Sequence, residues 1–175
     1  MKHPRAARLA MPETMVGGQY RREHDAADPD QGLAELMSGQ VREARPAFGV
    51  YRPAAEKGGL LAVTGVYGKV RDPSAALREL VKLLDRRDGD PVIKIGPKTI
   101  TPAGSDEPVQ CRVVSRTIPV TSTRSLDMAC TWADSSTVAH VAQGLLPSTR
   151  PNPNERDLNA FAAKVNQIRD EVRDS

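Results

Sequence analysis

Two cysteines carry the most available chemistry in this 175-residue chain. Cys111 stands in Val109-Gln110-Cys111-Arg112-Val113, and Cys130 in Met128-Ala129-Cys130-Thr131-Trp132. Alternate side chains of a strand share a face, so Cys111 goes with Val109 and Val113, and Cys130 with Met128 and Trp132. If the two strands are neighbours in a hairpin, the sulfurs can meet within the limit of roughly 7 Å between Cα atoms. A bridge closing this loop would contribute on the order of 3 kcal/mol in the chain-entropy model. Two separate buried thiols, acting as small hydrophobes, fit the same pattern and are the default in a reducing compartment. Spacing alone leaves both readings open.

Other chemistries find less support. Two cysteines and the scattered His3, His24 and His140 show neither C-x-x-C nor H-x-x-x-H spacing, so no metal ligand is assigned. Ser135 and Ser136 follow Asp134 and precede His140, but there is no G-x-S-x-G elbow, and Asp-Ser-Ser between two strands reads as an ordinary turn. His140, within a strand, reads as a structural or surface histidine rather than an acid–base group. The glycines at 17–18, 58–59, 65 and 68 form no G-x-G-x-x-G or P-loop, and Gly65 and Gly68 suggest a bulge or close packing by another element. Carboxylates fall in turns and on helix surfaces, where no acid–base pair can be named. The expectation is a protein with no catalytic residue, no cofactor and no metal.

A net charge of +3 and a pI near 9.0 steer partners weakly. Basic residues are scattered, and one Trp, three Tyr and two Phe leave few rings to interleave with them, which argues against a dedicated nucleic-acid binder. The same scarcity makes Val, Leu, Ile and Ala the material of the core. No apolar run approaches the roughly 20 residues of a membrane span. Lys2, Arg5 and Arg8 resemble the start of a signal peptide, but Pro12, Glu13, Gly17 and Gly18 follow in place of an apolar region. The chain is therefore expected to be cytoplasmic, or to have its export and anchoring segment outside the sequence given.

The elements that must position these residues can be read along the chain. Residues 1–28 are expected to form a mobile N-terminal arm, with 12–20 the stretch able to dock, and 29–175 a single domain. Leu33, Leu36, Met37 and Val41 follow helical spacing, with Asp30 as cap. Residues 47–51 and 60–67 read as a hairpin turned near Pro53 and Lys57-Gly58-Gly59; its second strand is apolar enough to be covered on both faces. Asp72 and Pro73 open a helix whose Leu77, Leu80, Val81 and Leu84 form one stripe, and Arg86, Arg87 and Gly89 close it. A short strand at 92–95 leads to an exposed, mobile loop over 96–108. Strands at 109–118, 126–132 and 137–143 come next, and a Pro/Asn-rich link at 147–154. Asn152, Pro153 and Glu155 give a capping-box-like start to a last helix, which carries Leu158, Phe161, Ala162, Val165, Ile168 and Val172 inward and Arg169 off the stripe. The order predicts an α+β fold: a mostly antiparallel sheet of about five to six strands with two or three helices packed on it.

Residues 126–138, Leu-Asp-Met-Ala-Cys-Thr-Trp-Ala-Asp-Ser-Ser-Thr-Val, resemble the C-x-W-A-D-x-x-[ST]-V signature of a large group of actinobacterial proteins of uncharacterised activity, membrane-anchored or exported. Residues 12–18 (Pro-Glu-Thr-Met-Val-Gly-Gly), 63–77, 109–111 and 161–173 are similar to further, looser parts of that pattern. Arg112 stands where the group often has Gly, and His140 where it has a small apolar residue, which marks His140 as the place where this chain could differ. The resemblance implies an extracytoplasmic module with a Cys111–Cys130 disulfide, Trp132 packed near the bridge, Ala133 beside it and Asp134 capping the following turn. It implies no reaction. The expected function is a non-enzymatic interaction domain on the outer side of the cell membrane, binding a protein or cell-envelope ligand through the loops at 96–108 and 119–124. It would touch the membrane only through a segment outside this chain. The alternative is a cytoplasmic regulatory or adaptor protein with reduced thiols, whose basic arm binds nucleic acid or an acidic partner.

Overall fold

The computed structural model describes residues 6–24, 32–55, 59–89, 91–118, 123–145 and 153–174. Asp30, His3, Lys57, Gly58, Pro119, Asn152 and the 147–152 part of the link lie outside them.

Three short strands come first: β1 (Arg8–Leu9), β2 (Thr14–Met15) and β3 (Tyr20–Arg22). The one-turn α1 (Leu33–Leu36) follows; Val41, expected on that helix, instead opens β4 (Val41–Pro53), since the chain turns at 37–40. After β5 (Leu61–Val70) comes α2 (Pro73–Asp88), with Asp72 accepting from the Ala75 amide at 3.3 Å and Pro at the first turn, as the sequence predicts. The meander β6 (Val92–Ile100), β7 (Val109–Ile118), β8 (Thr123–Ala133) and β9 (Thr137–Leu145) leads to α3 (Glu155–Val172) and the terminal β10 (Arg173–Asp174). The capping box of α3 is Asn154 with Asp157, not Asn152 with Glu155.

The class is α+β with a large antiparallel sheet and three helices, but the main sheet has eight strands, in the order β2-β3-β4-β5-β9-β8-β7-β6. The expected strands correspond to β4–β9; β2 and β3 come from the stretch expected as a mobile arm. Residues 12–20 dock, as expected possible for that stretch, and the expectation of a mobile arm is corrected for 6–11 and 21–24, which also pair or pack. Leu9, Met15, Val16 and Tyr20 are buried, and β1 pairs with β10. The β2–β3 turn closes on a Gln19 amide to Val16 carbonyl hydrogen bond of 3.1 Å, with Gly17 and Gly18 both at positive φ, which favours glycine.

Both sheet faces are covered. On one, β5, β7 and β8, the N-terminal segment and α3 bury Leu9, Met15, Tyr20, Val63, Trp132, Phe161 and Val165. On the other, α1 and α2 bury Leu33, Met37, Val66, Leu80 and Leu84. β5 lies between its neighbours β4 and β9 and contributes to both clusters, as its unbroken apolar run predicts. Gly65 on β5 has no room for a side chain: a Cβ there would meet the Val138 carbonyl oxygen at 2.5 Å and Leu9 Cδ1 at 2.9 Å. Gly68, at φ 156°, faces the bulge between Arg42 and Arg45. The edge strand β6 carries two register shifts, Pro97 and the exposed Lys94, devices that blunt an open edge against pairing with another chain.

Candidate functional site

β7 and β8 pair antiparallel with Cys111 directly opposite Cys130. Their Cα atoms are 4.1 Å apart and the sulfurs are bonded at 2.04 Å, so the two open readings resolve to a disulfide. Both half-cystines are 0% exposed, on the face that α3 and the N-terminal segment cover. Trp132, two residues beyond Cys130, lies on the same face and is 1% exposed. A buried indole N–H needs an acceptor, and Nε1 finds Thr137 Oγ1 across the hairpin at 3.1 Å.

Asp134 organises the turn that makes this possible. Its Oδ1 accepts from the amides of Ser136 (2.9 Å) and Thr137 (2.7 Å), while Oδ2 accepts from the Thr137 hydroxyl at 2.8 Å. Thr137 thus donates to the carboxylate and accepts from the tryptophan, which one hydroxyl can do at once. Ala133 packs beside the second cluster, under α2. Ser135 and Ser136 lie in this turn, as expected, and His140 lies in β9. Thr131 and His140 are register partners, and Thr131 Oγ1 lies 2.8 Å from His140 Nδ1 on the α2 face of the sheet, with the histidine 6% exposed.

Sequence reasoning missed the rest of the cluster. Arg173 donates to Asp134 Oδ2 at 3.0 Å and pairs with Glu107 at 2.9 Å. Burial alone would lower its pKa; the hydrogen bond to Asp134 and the field of Glu107 outweigh it and hold the pKa above its ordinary value. Arg169, expected off the buried stripe of α3, is 1% exposed. Its guanidinium donates to the carbonyls of Pro108 (3.2 Å) and Glu107 (2.9 Å) and to Asn166 Oδ1 (2.8 Å). Burial lowers its pKa, an effect that Glu107 opposes. Residues 96–108 are exposed at most positions, as expected, but they are not all loop: β6 runs to Ile100, and the remaining turn is held by Arg169 and by the Glu107 amide donating to Ser105 Oγ at 3.0 Å. The other expected binding loop, 119–124, lies outside the described residues at 119–122.

A second polar group joins the opposite face. Both carboxylate oxygens of Asp85, on α2, accept from the Arg112 guanidinium on β7, and Arg116 lies between Asp85 and Asp127, 3.5 Å from each. Arg112 is 7% exposed and docks α2. On the far side, Lys164 of α3 donates to the Tyr20 hydroxyl at 2.9 Å, and that hydroxyl donates to Gln143 at 3.1 Å. This ties the N-terminal segment to the helix above it.

The chemistry of the nominated residues is thus fixation: a covalent cross-strand bond, a capped turn and an ion-paired helix end. Among the described residues no group of three or more His, Cys, Asp or Glu side chains is placed to hold a metal, and no helix is long and apolar enough to cross a membrane. Comparison with known proteins finds no family model that matches the chain and no curated protein that matches it.

Proposed function

We propose that the chain is a non-enzymatic interaction module working on the extracytoplasmic side of a cell membrane. The observation that carries this reading is the buried Cys111–Cys130 bridge, fully covered by α3 and the N-terminal segment. Disulfides form and persist in oxidising compartments and are rare in the cytosol. The surrounding residues support a binding scaffold. Trp132, Thr137, Asp134, Arg173 and Glu107 spend their polar atoms on one another, which ties the β8–β9 turn to the end of α3 and leaves a ligand to other parts of the surface. The C-x-W-A-D resemblance of residues 126–138 fits the same compartment.

Labelling of intact source cells with a membrane-impermeant amine reagent tests this. The exposed Lys69 and Lys82-side surface should react in whole cells as fully as in a lysate. Labelling that appears only after lysis overturns the placement and returns the chain to the cytoplasmic adaptor reading. Turnover of an envelope substrate by the purified chain, abolished by one point change, overturns the non-enzymatic part.

A further inference from the structure

The β2–β3–β4 margin brings together a charge arrangement that the fold itself does not need. Register places Thr14 opposite Arg21, and Arg21 opposite Arg52, so the three side chains stand in one row across three strands. All three residues are exposed. Like charges directly opposite on neighbouring strands destabilise a sheet. Among the described residues only one carboxylate in the cleft offsets this pair: Glu23, paired with Arg52 Nε. Arg22, one position along the strand, sends its guanidinium to the Met11 carbonyl instead. Together with Gly18, Pro53 and Ala54 these residues line an open cleft of about 630 Å³, large enough for a small ligand or for one end of a larger one.

We propose that the Thr14–Arg21–Arg52 row binds a phosphate group. A single guanidinium fork satisfies a carboxylate, as Arg112 does for Asp85 in this molecule. Two forks facing one cleft supply donors for the three oxygens of a phosphate, with the Thr14 hydroxyl beside them. Binding would also relieve the repulsion between the two arginines, so the anion restores what the sheet gives up at that register. Glu23 opposes the ligand and limits its affinity. Phosphate recognition here does not depend on the compartment of the chain, so this site and the extracytoplasmic reading can fail separately.

The test is an NMR titration of the uniformly labelled full chain with inorganic phosphate, and in parallel with acetate, at ionic strength held constant with sodium chloride. The expected result is saturable shifts at the amides of Thr14, Arg21 and Arg52 with phosphate. Arg21→Gln or Arg52→Gln should weaken binding about tenfold or more, the loss expected for a charge-assisted contact, and Glu23→Gln should tighten it. Thermal melts guard against a folding artefact. In chloride Arg21→Gln should melt no lower than the parent, since a repulsion is removed, while the phosphate-induced rise in Tm disappears. Acetate binding as well as phosphate, shifts that do not saturate, or a phosphate-induced rise that survives in both arginine variants would overturn the proposal.

Discussion

Thr137 and Asp134 carry more of this structure than their short side chains suggest. Removing the Asp134 carboxylate strips two amides of their acceptor, takes from the Thr137 hydroxyl the acceptor of its proton and takes from Arg173 one of its three carboxylate partners. Asp134→Ala is expected to cost about 2–3 kcal/mol, as the loss of several partly buried hydrogen bonds does. Asp134→Asn, which keeps an oxygen for the turn, should cost less. Urea unfolding of the two variants measures both, and equal stability of Asp134→Ala and the parent would contradict the role given to this residue. Tyr51 makes a second prediction. It is 0% exposed, its hydroxyl donates to the Pro12 carbonyl at 2.7 Å, and burial pushes its pKa up to about 12, with Arg22 opposing and Glu171 adding to the shift. The unfolded phenol ionises near 10, so the unfolded state releases its proton first. Stability from the protonated phenol is intact below pH 10 and is lost as the pH rises from there through about 12. Tyr51→Phe should flatten that part of the stability–pH curve. At this scale the cysteines and Trp132 were legible, because period-two alternation alone puts them on apolar faces. Arg169 was not, because hydrogen bonds to Glu107 and Pro108, some sixty positions away in the chain, leave no periodic signal.

The elements divide by length. α2, α3 and the long strands announce themselves through stripes, caps and apolar runs that persist over several turns or alternations. β1, β2 and β3 have two or three residues each, too few for any period to show. Their stability comes from what they cover, not from their own sequence. Leu9 sits over Gly65, where no other side chain fits, and Val16 gives its amide to both Glu171 oxygens at 3.1 and 3.0 Å. Val16 holds a φ of 54°, a conformation costly for a β-branched residue. That backbone is retained because its side chain is buried and its amide is paired. A docked segment and a mobile arm predict different outcomes for Leu9→Ala. The packed contact should cost about 2–4 kcal/mol, whereas an arm would leave the denaturation midpoint unchanged. Gly65→Ala should also destabilise, because its Cβ meets backbone as well as Leu9.

The whole molecule is a sheet held from both sides, by α3 and the N-terminal segment over one face and α2 over the other, with a covalent tie between β7 and β8, the second and third strands from the β6 edge. The covering of both faces could be foreseen from β5. The eight-strand width could not, since it depends on short strands recruited from a stretch with the composition of a loop. The disulfide is the point on which compartment and function both turn, and it is directly measurable. Protein from its native source, denatured under acid quench and alkylated, should show no added mass at either cysteine until it is reduced, and two alkyl groups afterwards. Reduction should lower the melting temperature by about 6–12 °C, the equivalent of about 3 kcal/mol for a chain of this size. Two cysteines alkylated without reduction, in protein that was folded before the quench, would contradict the bridge and with it the extracytoplasmic module.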